Sequence, residues 1–137
     1  MNAFFTSLPK GALEGLNVFF FIFHTLFTLF NLTGWIWKKT RPAHAVTMVL
    51  TSFSWFILGL FYGIGFCFCT EWHWQVRRLL GIRDTSTSYI YLLIKVLTGK
   101  NLSEPLVIEG TKWVFIGIVI ATVIVWIPEI RKRLKKL

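Results

Sequence analysis

Polar positions are sparse along this chain, and their spacing sets the reading. Three stretches are almost wholly apolar: Leu16 to Trp37 (LNVFFFIFHTLFTLFNLTGWIW), Ala43 to Cys69, and Lys112 to Ile130 (KWVFIGIVIATVIVWIPEI). None carries a charge in its central portion. A bilayer hydrocarbon core of roughly 30 Å needs about 20 residues in helical form, because each adds about 1.5 Å. The pattern predicts an all-α integral membrane protein, one membrane domain over residues 1–137, with spans at about 16–37, 43–69 and 112–130.

The alternative is four transmembrane helices, and it turns on SYIYLLIKVLT, Ser88 to Thr98. That run is short for a crossing and holds Lys95. A lysine at mid-bilayer costs roughly 2.5–3.5 kcal/mol, whereas at the interface its head reaches water. Loop charge favours three crossings as well. They place KKTR (Lys38, Lys39, Arg41) and the tail RKRLKKL on one side, the cytoplasmic one by the positive-inside rule, with the amino terminus outside. Arg77, Arg78 and Arg83 then lie outside, against that trend.

Three crossings leave an external segment, about 70–111, before the third span. Glu71 to Arg83 reads as an interfacial amphipathic helix with Trp72, Val76, Leu79 and Leu80 as its apolar stripe and Arg77 and Arg78 off it. Gly81 marks a break. Asp84-Thr85-Ser86 offers cap chemistry for a second short helix through Tyr89, Tyr91 and Leu92 that ends near Gly99. Lys100 to Gly110, with Pro105, reads as a loop, and 131–137 as a basic cytoplasmic tail.

Small and polar residues inside the spans suggest how they meet. Gly59-x3-Gly63 and Gly117-x3-Ala121 have the spacing of close helix packing and fall at similar depth, so each pair is the expected partner of the other. His24, Thr28 and Asn31 share one face of the first span. His44, Thr47, Thr51, Trp55, Leu58 and Tyr62 share one face of the second. Counting about 1.5 Å per residue from the outer end puts His24 roughly 12 Å deep and Tyr62 roughly 9–10 Å deep. His24 is therefore expected to face Tyr62 or something bound between the spans, while His44 lies near the cytoplasmic surface. Helix-to-helix hydrogen bonding, worth about 0.6 kcal/mol each on average, explains such faces without a ligand.

Composition sharpens the class. The chain is 55% hydrophobic with a formal charge of +9, and RKRLKKL supplies five positive charges in the last seven residues. Next to a span, such a run reads as an anchor to anionic lipid and not as a nucleic-acid site. The first span is a poor signal peptide, because Trp-Ile-Trp-Lys-Lys follows it where small residues should stand. Cys67 and Cys69, on one continuous helix, would point to different sides and make a strained disulfide. Cys69 and His73 fall at i, i+4, but with Cys67 they are only three ligands in no familiar zinc spacing, so no metal is expected. A thiol redox pair stays open, with nothing in the sequence to activate either thiol. Trp72 and Trp74 read as an aromatic belt, with Arg77 and Arg78 reaching lipid phosphates.

Catalytic signatures are missing: no phosphate-binding glycine loop, no carboxylate pair, no serine elbow.

The order of His24 with LFTLFNLTGW, Arg41 and His44, Trp55, then Gly65, Cys67, Thr70 and Arg77 resembles a family of small bacterial inner-membrane proteins known as a domain of unknown function. Its hallmark reads Gly-x-x-Cys-Pro-Leu-Thr, an acidic residue, then Leu-Arg. Here it stands as GFCFCTEWHWQVR, with Phe68 and Cys69 for Pro-Leu and His73 where the acidic residue usually stands. The resemblance covers about Val18 to Leu80. It implies a membrane fold and directs attention to His24, His44, Cys67, Thr70 and Arg77, and it lends no activity.

The expected role is a non-enzymatic accessory subunit of a larger inner-membrane complex, its partners being lipid and other membrane proteins. Fourteen Phe and seven Trp are more bulk than three helices bury among themselves. The alternative is a module without catalytic residues that binds haem, quinone or lipid in an outer-leaflet pocket around His24, Thr28 and Tyr62, under the Trp72 helix. Contact candidates are His24, Thr28, Tyr62, Cys67, Thr70, Trp72, His73 and Arg77.

Overall fold

A computed structural model describes residues 3–84 and 86–137, and every regular element among them is helical. In chain order these are α1 (Ala3–Thr6), α2 (Lys10–Thr33), α3 (Arg41–Tyr62), α4 (Phe68–Leu79), α5 (Tyr89–Thr98) and α6 (Glu104–Leu134). Three of them, α2, α3 and α6, are long and apolar enough to cross a membrane. The chain is thus an all-α protein with three candidate spans. At 10 residues, α5 is too short to be a fourth.

The span boundaries differ from the sequence reading in informative ways. The second helix ends at Tyr62, not at Cys69. It is wound as a π-helix from Phe53 to Leu58, one α-helical turn follows from Gly59 to Tyr62, and the chain then turns back at Gly63 and Gly65, with φ of 103° and 92°. Side-chain-bearing residues avoid that region, so the GxG spacing makes the reversal possible. The returning strand of chain lies along its own helix. Ile64 packs on Gly59, the Gly65 amide donates to the Trp55 carbonyl (3.4 Å), and the Ser54 hydroxyl donates to the Phe66 carbonyl (2.8 Å). Non-helical backbone next to lipid needs such internal partners, because no water satisfies it there.

The third helix starts at Glu104 instead of Lys112. Pro105, read as a loop residue, sits in its first turn, where a missing amide costs nothing. The cap of α5 is Ser88, whose hydroxyl accepts from the Tyr91 amide, and Gly99 closes the helix. Asp84 and Ser86 of the expected cap are engaged elsewhere; Thr85 lies outside the described residues.

From Cys67 the chain runs as α4 antiparallel to the amino-terminal half of α2. Phe5, Leu13, Phe20 and Val76 form the apolar core of that contact, with Leu8, Leu16 and Leu80 against it. The expected stripe on α4 is therefore split: Val76 and Leu80 turn inward, whereas Trp72 and Leu79 stay on the outside. α6 meets the rest through Phe115, which packs on Trp55 and Phe56, and through its contact with α5.

Candidate functional site

The polar faces of α2 and α3 meet near one end. The His44 ring is fully buried, its Nε2 is 2.9 Å from the Asn31 carbonyl, and the Asn31 amide donates to Thr51 Oγ1 (3.0 Å). Gly34 allows this approach: a Cβ there would lie 2.9 Å from the His44 ring and 2.8 Å from the Phe30 carbonyl. The sequence placed His44 near the cytoplasmic surface; its ring is a packed core group of the α2–α3 hairpin.

A second cluster forms where the returning segment reaches α2. His24, only 7% exposed, directs Nε2 at the Cys67 sulfur, 3.8 Å away. One face of its ring is stacked by Tyr89, centroids 3.9 Å apart and 18° from parallel. The Tyr89 hydroxyl donates to the Phe21 carbonyl (2.8 Å) and lies 2.7 Å from Thr25 Oγ1. Burial pushes the phenol up from its ordinary range, which keeps that donor protonated. His24 Nδ1 is buried and meets no protein partner.

His73 continues the cluster along α4. Completely buried beside Phe20, it places Nε2 2.9 Å from Asn17 Oδ1. Its pKa is lowered to about 4, first by burial and then by the neighbouring positive charge of Arg77. Arg77 reaches the same Asn17 oxygen (3.4 Å) and forms a bidentate pair with Asp84, both bonds at 2.7 Å. The Arg77 and Asp84 side chains are 15% and 14% exposed. Arg77 is thus committed to a carboxylate inside the protein, not to lipid phosphate. Arg78, which bonds Glu71 at 3.0 Å, is the outward arginine. Ser86 ties this end to α6 by donating to Glu104 (2.7 Å), and its carbonyl accepts from the Trp74 indole (3.0 Å).

Of the residues singled out from sequence, His24 and Cys67 are in contact, with Thr70, His73 and Arg77 following on the same helix. Thr70 is buried and Thr28 half-buried on the same face of α2 as His24. Tyr62 is apart from them: 66% exposed, it stacks on Phe66. The reversal at Gly63 puts Cys67, not Tyr62, against His24, and the cluster has no cover from the outward-facing Trp72. The glycine motifs do not pair either. Gly59 receives Ile64, Gly63 is the turn, and a Cβ on Gly117 would meet open space.

Asn17, Tyr89 and Asp84 were missed. Asn17 was within reach, since it lies seven residues before His24 on the same face; Tyr89 comes from a distant segment and leaves no local pattern, and Asp84, seven residues after Arg77, lies beyond the end of α4.

Fold and cluster together define a multi-pass α-helical membrane protein that holds a thiol–imidazole contact beside its first span. Residues 15–128 match the family described as protein of unknown function (DUF2784), and the chain belongs to that family. The match runs through the third span, well beyond the Val18 to Leu80 stretch that carries the resemblance. No curated protein and no solved structure matches the chain.

Proposed function

We propose that the protein is a non-enzymatic accessory subunit that docks on another membrane protein through α6. The observation behind this reading is an unused helix face. The inward side of α6 follows Val107 and Phe115, which are its buried residues. Gly110 and Gly117 flank that side, exposed, and a Cβ at either would meet nothing within 4 Å. With Ala121 they fall at i, i+7 and i+11, one helical stripe. Bulky aliphatic residues suffice to face lipid, whereas a Gly/Ala notch is what lets a second helix backbone come close. The expected internal partner, Gly59, is already covered by Ile64.

The test is extraction in mild detergent at native expression, followed by native mass spectrometry. A complex with a second membrane protein, weakened by Gly117→Leu, supports the reading; the chain running alone overturns it.

The proposed setting is a bacterial inner membrane, amino terminus outside and carboxyl terminus cytoplasmic, as the KKTR and RKRLKKL segments favour. The Arg77–Asp84 pair supports this orientation, because a neutralised arginine weighs little against it. Cysteines introduced at Lys39 and Lys100 should be labelled from opposite compartments; labelling from the same one rejects the topology.

A second reading, haem, quinone or lipid held beside His24, draws on the unpartnered Nδ1 of that ring. Visible absorbance or a co-purifying quinone or lipid, lost in His24→Ala, is its expected signature.

A further inference from the structure

The separation of Cys67 from the helix that carries Cys69 changes what the two thiols can do. Cys67 is the N-cap of α4, in extended backbone (φ −133°, ψ 123°), and Cys69 lies in the first turn. The strain expected of two cysteines on one continuous helix does not apply to that geometry. Both are free and partly exposed. Beside them, His24 is more than nine-tenths buried, aims Nε2 at the Cys67 sulfur, and keeps an unpartnered Nδ1. An imidazole at a thiol that stands at the N-terminus of a helix is the environment in which a cysteine becomes a nucleophile.

We propose that Cys67 and Cys69 are a thiol–disulfide exchange pair, with His24 as the proton carrier and an incoming small-molecule or protein disulfide as the oxidant. Cys67 gives its proton to His24 and attacks one sulfur of the incoming disulfide. That S–S bond breaks, a mixed disulfide forms on Cys67, and the first leaving thiolate takes the proton from His24. Cys69 then gives its proton to His24 and attacks the Cys67 sulfur. The mixed disulfide breaks, and the second thiolate leaves with that proton. One external disulfide is reduced to two thiols, and the two protein thiols are oxidised to a Cys67–Cys69 disulfide. Thiol–disulfide exchange is reversible, so the reaction runs in both directions. This inference rests on the contact between α2 and α4 and not on the α6 docking face, so either can fail without the other.

The test uses the full chain in detergent with oxidised glutathione, acid quenching and intact and peptide mass analysis. The wild type should end two hydrogens lighter with no adduct retained. Cys69→Ser should stall with one glutathione on Cys67, and Cys67→Ser should form no intramolecular bond. His24→Gln should slow adduct formation about tenfold at neutral pH and recover as the pH is raised. Should that variant fail to fold, the wild-type pH profile decides. An unassisted thiol loses about tenfold in rate per pH unit below its pKa, whereas Cys67 should hold its rate across the neutral range. Two free thiols after prolonged exposure, an adduct that persists on the wild type, or the profile of an unassisted thiol overturns the proposal.

Discussion

The amino-terminal half of the molecule and its third span are built on opposite terms. Where α2, α4 and α5 meet, buried polar groups carry specificity: His24 on Cys67 and Tyr89, His73 on Asn17, Arg77 on Asp84. Along α6 the holds are fewer, namely Phe115 against Trp55 and Phe56, the Ser86–Glu104 hydrogen bond and packing on α5, and most of the surface is aliphatic and uncovered. The first region is held by those hydrogen bonds, because breaking one leaves a buried polar group without its partner, which is costly. The second has few such constraints within the chain, chiefly Glu104 at its start, and leaves more of its length to be covered by something else.

The sharpest way to break the contrast is Arg77→Ala. It leaves the Asp84 carboxylate buried without its cation, and a loss of about 3–5 kcal/mol is expected from thermal unfolding in detergent. Arg77→Ala combined with Asp84→Ala should recover part of that.

Acidification probes the same region. The folded-state pKa of His73 is about 4, below the ordinary value of 6.5. Between those values the unfolded chain takes up a proton that the folded one refuses. The His73 contribution is therefore complete above about pH 6.5 and is lost as the pH falls toward 4, on the order of 3 kcal/mol in total. His73→Gln should flatten the dependence of unfolding temperature on pH over that window.

Gly34→Ala should cost about 1–3 kcal/mol, since the added methyl meets the Phe30 carbonyl and the His44 ring. If His44→Ala in the same chain leaves that cost unchanged, the ring is not the obstacle.

The smallest effect is expected on α6. Gly117→Leu should move the stability of the isolated chain by no more than about 0.5 kcal/mol. A large loss would mean that the face is packed after all and would remove the distinction between the two regions.

Much of the architecture was legible along the chain. Lipid imposes one strong rule, long apolar helices with no charge at their centres, and so the three spans, the short helix at Tyr89 and its end near Gly99 could be read directly. The apolar run from Ala43 to Cys69 misled because hydropathy is blind to direction. A chain that turns back along its own helix is as apolar as one that continues, and only Gly63 and Gly65 signal the reversal. At the candidate site, His24 and Cys67 stood out as chemistry, but their contact did not, since 43 residues separate them. Arg77 shows a different limit: Asp84 is only seven residues away, but it lies past the end of α4, where helical spacing no longer says which residues meet, so the arginine reads as a lipid anchor.

By itself the sequence determined the class of protein, the number of long helices and the residue types available for chemistry, because those follow from local hydrophobicity and from spacing along a helix. Which groups meet was decided only in three dimensions. The π-helical stretch and the glycine turn rotate and reverse the chain after Phe53, and that single change of direction brings Cys67 to His24 and sends Tyr62 to the surface. Contacts between distant segments depend on such accumulated rotations, and no periodicity within one segment encodes them.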